Sequence, residues 1–211
     1  MKITSIEPYN SSKGFFKIFV DGEYQISLHK SIIEKFSLKE GEEIEDSLLS
    51  SLDEAAQVRR ARERLLYSLD RRLHSEKELR QKLFRDYPPK IIDAAIDELK
   101  KLGLVDDRAF AIWFADQRKR VNKKGPYAVM RELVLKGVSK DVAREAVDEA
   151  FSDEDDEFAS ALAVAEKYKN DLDTPKGKNR LYGALARRGF GYGVIKKVMQ
   201  TLCSDLEYFE E

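Results

Sequence analysis

Apolar positions change their spacing once along this chain, near residue 50. Before that point they alternate. Residues 2–9, 14–20 and 24–28 are rich in Ile, Phe, Val and Tyr with rough alternation, the signature of half-buried strands. Asp21-Gly22 separates the last two runs and predicts a tight hairpin, because glycine accepts the positive φ that a two-residue turn needs. A short helix is expected over 28–36, then a turn near Gly41 into a last extended piece ending at Ile44. A sheet this small is marginal alone, so it is expected to pack on a neighbour or stay mobile.

From Asp53 the period becomes helical. Val58, Ala61, Leu65 and Leu69 form one stripe. Ser75 with Glu78 reads as a capping box opening a second helix through Leu79 and Leu83. Pro88-Pro89 starts a third, with Ile92, Ile96 and Leu99 inward and Gly103 as its stop. Asp106-Asp107 suits another helix N-terminus, followed by Phe110, Trp113 and Phe114. Gly125-Pro126 opens the next helix, Ser139 caps the one after, and Val142, Val147 and Phe151 complete that set. A third set places Phe158, Leu162, Ala165 and Tyr168 on one helix, Leu181 and Leu185 on a second begun by Thr174-Pro175, and Val194, Val198, Met199 and Leu202 on a third.

A longer period lies over the helical one. Leu133-Val134-Leu135-Lys136-Gly137-Val138, then Val142 and Val147, recurs 52 residues later as Leu185-Ala186-Arg187-Arg188-Gly189-Phe190, then Val194 and Met199. A blurred copy precedes them at Leu83-Phe84-Arg85-Asp86-Tyr87, with Asp86 in the glycine position. Such a period indicates stacked supersecondary units. The chain therefore reads as mainly α: three tandem three-helix repeats (53–105, 106–152 and 153–211, the last with an acidic tail from Asp205) forming an elongated curved solenoid behind a β-rich module, 1–52. Gly137 and Gly189 are read as left-handed stops of the middle helices.

Catalytic and metal chemistry find little support. Gly189, Gly191 and Gly193 follow no strand, so a phosphate-cradling loop is the weaker reading. His29 and His74 are far apart, and the lone Cys203 leaves no disulfide or cysteine-rich zinc site. The five acids at 153–157 lack a calcium-loop order and read as a linker. Phe110, Trp113 and Phe114 could stack on bases, but their helical spacing favours core packing. No enzyme, cofactor or metal is expected. No apolar run approaches the ~18 residues that span a bilayer, and residues 1–4 start no signal-peptide core, so the expected address is the cytosol.

Charge changes the picture. The chain of 211 residues has a formal net charge of −1, yet the charges are segregated. Residues 40–54 hold seven acids; 57–85 hold ten bases against four acids; 176–197 hold seven bases and no acid. Such blocks suit an anionic partner. The candidates are Arg59, Arg60, Arg62, Arg64, Arg71 and Arg72 in the first repeat, and Lys119, Arg120, Lys123 and Lys124 in the second. Lys176, Lys178, Arg180, Arg187, Arg188, Lys196 and Lys197 come from the third. They could face phosphates, giving salt-sensitive and sequence-independent affinity, or an acidic protein groove.

Four motifs carry a resemblance. Arg72 with Ser75 and Glu78-Leu79, then Leu102-Gly103-Leu104-Val105-Asp106-Asp107-Arg108-Ala109-Phe110-Ala111, then Arg131-Glu132-Leu133 with Lys136-Gly137-Val138, and finally Arg187-Arg188-Gly189-Phe190 resemble, in order and spacing, the repeats of the RecX regulatory proteins over about 55–202. Asp86 departs from that pattern, and the β-rich head is only loosely similar to the N-terminal extensions of some members. The resemblance implies a non-catalytic bacterial modulator, mostly an inhibitor, of the RecA recombinase. It implies a monomer that lies in the groove of the RecA–DNA filament, restrains strand exchange, ATPase and co-protease activity in DNA repair and the SOS response, and binds single- and double-stranded DNA. The competing reading is a sequence-independent DNA-binding helical protein without a recombinase partner.

Overall fold

Asp21 and Gly22 both take positive φ, 51° and 86°, and Val20 faces Glu23 across the two-residue turn. This is the primed turn whose twist matches antiparallel strands. It joins β2 (Phe15–Val20) to β3 (Glu23–His29), and β1 (Ile3–Asn10) pairs with the other edge of β2. The computed structural model describes residues 1–10 and 13–203; the acidic tail expected from Asp205 lies outside the described residues. After α1 (Lys30–Lys35) the chain returns to the sheet, where the Ile44 amide donates to the Met1 carbonyl at 2.7 Å.

The helical region starts earlier than expected. α2 (Asp46–Leu69) is a 24-residue helix that runs through the expected 52/53 boundary. Its first half is apolar enough at helical spacing to cover the sheet: Leu52 and Ala56 share a core with Ile3, Ile18, Val20 and Leu28. The partner that so small a sheet requires is thus supplied by α2. Its second half buries Ala61 and Leu65 in the first three-helix domain, with α4 (Pro89–Lys101) against it and Leu79 and Leu83 of α3 (Glu76–Leu83) also buried.

Contacts divide the described chain into two units. The first holds Met1–Arg71 and Leu79–Leu104; the second holds Arg72–Glu78 and the described residues from Val105 on. In the first unit, Asp86 is not left-handed. The amides of Asp86 and Tyr87 both reach the Leu83 carbonyl, and the Asp86 carboxylate instead takes an ion pair from Arg64. The glycine stop of this unit falls one helix later, at Gly103, with φ 69°.

In the second unit, α5 (Asp107–Arg120), α6 (Pro126–Leu135) and α7 (Lys140–Ala150) form one helical set. The Asp106 carboxylate caps α5 by accepting from the Arg108 and Ala109 amides at 2.8 and 3.2 Å. Asp106→Ala is expected to cost about 1 kcal/mol in urea unfolding, because two orphan N–H groups lose their acceptor. α8 (Glu154–Ala165), a 3-10 turn (Glu166–Asp171), α9 (Pro175–Arg188) and α10 (Tyr192–Leu202) make the last set. The acidic run is not a linker. Asp153 caps α8 through the Asp155 amide, and Glu154 to Glu157 form its first turn, where the helix dipole favours negative charge. Tyr168, expected on that helix, lies in the 3-10 turn and still packs on the core of Leu181, Leu185 and Phe190.

The 52-residue period marks a joint. Gly137 and Gly189 have φ of 90° and 85°. The Gly137 amide donates to Val134 and Val138 to Leu133; the Gly189 amide donates to Ala186 and Phe190 to Leu185. Both are Schellman stops. Each stop also serves a helix that begins some sixty residues earlier. At the first, the Ser75 hydroxyl donates to the Lys136 carbonyl at 2.7 Å and Lys77 Nζ to the Leu135 carbonyl at 2.9 Å. At the second, the Gly125 amide donates to Arg188 at 2.9 Å and Tyr127 to Gly189 at 3.1 Å. At the second joint the spare carbonyls of one helix end so satisfy spare amides that begin another, head to tail, and at the first they take side-chain donors from the helix start.

Candidate functional site

The basic residues divide by what already holds them. In the first unit, α2 carries Arg59, Arg60, Arg62 and Arg64 within about one and a half turns. Arg59 pairs with Glu63 at 2.6 Å and Arg62 with Glu98 at 2.9 Å. These two arginines line a cleft of about 600 Å³ together with Lys35, and their Nε atoms are buried without a hydrogen-bond partner. Arg64 is engaged by Asp86, and Arg71 lies over the Tyr67 ring at 4.9 Å while donating to its hydroxyl at 2.8 Å. Arg60 is exposed, and among the described residues no ion pair is found for it.

In the second unit, two carboxylates each hold two bases. Glu78 accepts from Arg72 at 3.0 Å and from Lys136. Glu132 accepts from Arg118 at 2.7 Å and from Lys124 at 2.9 Å. Burial pushes the Glu78 carboxyl up, but the Arg72 and Lys136 hydrogen bonds and charges outweigh it and hold it at about 2. Burial is likewise outweighed at Glu132 by the Lys124 hydrogen bond and the charges of Arg118 and Lys124, and its pKa is lowered. Four cations on two anions leave a local excess of positive charge beside an aromatic patch. Arg118 lies 4.5 Å and Lys136 5.2 Å from the Phe114 ring centroid, and Arg72 lies 6.0 Å from that of Trp113. A concavity of about 250 Å³ opens among these groups.

Lys119 requires a correction. Only 9% of it is exposed, and its ammonium donates to the Ala150 carbonyl at 2.7 Å and to Asp156 at 2.9 Å. It fastens α5 to the start of α8 and presents no charge to an external phosphate. Arg188 is also committed: its guanidinium donates to the Asn122 and Lys123 carbonyls at 2.7 and 3.3 Å, within the second joint. Lys124 is tied to Glu132, Arg120 to Asp116 at 2.6 Å, and Arg180 to Asp171 at 2.9 Å. Lys197 sits 3.7 Å from Asp155 and 4.6 Å from the Phe158 ring centroid. Lys123 and Lys178 are half-buried, and Lys123 has a left-handed φ of 50°. Lys176, Arg187 and Lys196 are exposed. Arg118 and Lys136 were absent from the sequence-derived set. The signal for Lys136 lay in the repeat itself, since it precedes the glycine stop, and Arg118 opens the basic run 118–124.

Among the described residues no group of three or more His, Cys, Asp or Glu is arranged to hold a metal ion, and no helix is long and apolar enough to cross a membrane. Family profiles match the chain in four consecutive stretches. They are the Regulatory protein RecX N-terminal domain at 1–45, and the first, second and third three-helix domains of RecX at 61–99, 106–147 and 154–199. The chain is 32% identical to the Regulatory protein RecX of Clostridium botulinum (strain Alaska E43 / Type E3) over 99% of both chains. It is 31% identical to that of Clostridioides difficile over 98% of both, and 31% identical to that of Bacillus subtilis over 95% of this chain and 76% of the relative. A crystal structure of regulatory protein RecX shares the fold with a TM-score of 0.81 at 23% identity, covering 95% of this chain and all of that one. RecX from Lactobacillus salivarius follows at 0.61 and 24% identity, over 70% of this chain and 97% of that one.

Proposed function

The chain belongs to the RecX family of regulatory proteins, and we propose that it regulates by binding the filament that RecA recombinase forms on DNA. In this reading it occupies the helical groove of the filament and mostly restrains strand exchange, ATP turnover and co-protease activity in DNA repair and the SOS response. The supporting observation is the surplus of bases that remains once internal pairs are taken out. Arg60, Lys176, Arg187 and Lys196 are exposed, and the cluster around Glu78 and Glu132 holds two more cations than anions. Lys and Arg neutralise phosphates and release counterions, so such a surface binds DNA with little sequence preference. Contacts to several protomers along one filament add through effective concentration, which favours filament over free subunit.

The test adds the protein to recombinase preassembled on single-stranded DNA and follows ATP hydrolysis and filament length. Both should fall, and affinity for the filament should exceed that for a DNA-free recombinase subunit. Equal affinity for subunit and filament, or no change in either readout, would refute the reading. DNA binding without any filament effect would leave the sequence-independent DNA-binding protein. In the same assays the Lys176→Ala, Arg187→Ala, Lys196→Ala triple variant should reduce the slope of log K against log salt on single-stranded DNA by about 2, at ~0.7 per phosphate contact. An unchanged slope would place the DNA elsewhere.

A further inference from the structure

Three aromatic side chains of α5 occur within one and a half turns, and they do not share one role. Phe110 and Phe114 are 0% and 4% exposed and belong to the core of Val129, Leu133 and Val147. Trp113 also packs against that core, its ring centroid 6.0 Å from that of Phe110, but it is only half-buried and lines the concavity described above, with Arg72, Gln117, Arg118 and Lys136 around it. We propose that this concavity seats one unstacked base of a single-stranded nucleic acid against Trp113, with the adjoining phosphates on Arg72 and Arg118.

The size, charge and chemistry of the site agree on this ligand class. About 250 Å³ is below the range of ordinary small-molecule clefts, and it admits one ring system at most. No acid lines the concavity. Glu78 and Glu132 are each already bonded to two of the surrounding cations, so a cationic ligand meets only like charge. A lone carboxylate from a peptide would satisfy the guanidinium groups and leave the indole uncovered. A base with its phosphates uses both, since every base has a face to stack and the backbone supplies the anion. The Gln117 amide adds a donor and an acceptor at the rim, suited to a base edge of any identity. The anchors are also held in place. Arg72 is fixed by Glu78 and by its own bond to the Leu73 carbonyl at 2.8 Å, and Arg118 by Glu132 and by Asn122 Oδ1 at 2.9 Å. Preorganised side chains lose less entropy when a ligand arrives.

This inference rests on the reading that the protein binds DNA, and one property lets the two be tested apart. Trp113 is the single tryptophan of the chain, so its emission reports on this concavity alone. The full-length protein is titrated with a twelve-nucleotide oligo(dT) and with an abasic strand of equal length and charge. Anisotropy of the labelled strand is followed beside Trp113 emission. Oligo(dT) should quench the emission, while the abasic strand should bind without quenching. Trp113→Leu should weaken oligo(dT) binding roughly 5- to 150-fold and leave the abasic strand unaffected. Arg72→Gln, which keeps the indole, should weaken quenching by oligo(dT), with unfolding curves confirming that both variants are folded. Binding by anisotropy with unchanged Trp113 emission, or equal quenching by both strands, overturns the base site and leaves DNA binding standing. Quenching by an acidic peptide at lower concentration than by oligo(dT) overturns it in favour of a protein ligand. Failure of both strands to bind sinks the DNA-binding reading and this site with it.

Discussion

Gly189→Ala should destabilise the second unit by roughly 3–4 kcal/mol, against roughly 2–3 kcal/mol for Gly137→Ala. Both glycines have left-handed φ, 85° and 90°, so any side chain carries the same conformational cost of about 1 kcal/mol. What separates them is the neighbour. A methyl group at 137 meets Lys77 Cβ at 2.7 Å and Cδ at 2.9 Å; the Cδ can swing away, but the Cβ moves only with its own backbone, so one tight contact remains. A methyl group at 189 lands on the Ala128 amide nitrogen, with its Cα at 2.8 Å, and these are helix backbone. Relief would need α6 to part from α9, breaking the bonds from Gly125 to Arg188 and from Tyr127 to Gly189. Urea unfolding followed by Trp113 emission measures both variants; equal losses would mean that the contact with the Ala128 backbone adds no constraint of its own.

The second large effect is at Glu78. Its carboxylate is 15% exposed and faces Arg72 and Lys136, so Glu78→Gln leaves two partly buried cations without a counter-charge. A loss of roughly 2–3 kcal/mol at pH 7 is expected. The pH dependence has a definite sign. The folded pKa of about 2 lies below the ordinary value of 4.5. The carboxylate therefore contributes its full stabilisation above about pH 4.5 and loses it progressively as pH falls towards 2. The wild-type protein should lose stability across that window more steeply than Glu78→Gln, and the two unfolding curves should converge near pH 2. A constant gap between them from pH 7 to pH 2 would refute the assignment. The lowered pKa of Glu132 acts in the same direction, so part of the acid sensitivity should survive in the variant.

Local chemistry was legible in the sequence, and distant pairing was not. Asp106, Ser139, Thr174 and the Ser75–Glu78 box cap helices as their types and spacing predict, because a cap involves residues only two or three apart. The glycine stops were legible for the same reason, and the repeat placed them. Charge was read poorly because its partners are far along the chain. Lys136 meets Glu78 across 58 residues and Lys119 meets Asp156 across 37, so a basic residue destined for an internal pair looks like one destined for solvent. The run at 153–157 failed differently: five acids resemble a solvated linker until the following apolar positions are seen to make them a first helical turn. The aromatic trio of α5 was read as core. That holds fully for Phe110 and Phe114 and in part for Trp113, which packs on the same core yet stays half-buried at the concavity, since spacing alone does not resolve how far the stripe extends around the helix.

The head-to-tail joints also order the protein's birth. The amides that open α6 wait for carbonyls at Arg188 and Gly189, 63 residues from Gly125, and the Ser75 hydroxyl waits for Lys136 across 61. At ribosomal rates of about 5–20 residues per second, these donors stay without those acceptors for roughly 3 to 13 seconds. Translation therefore leaves the first two middle helices with an unfinished joint, sealed only when the glycine stop of the next one emerges.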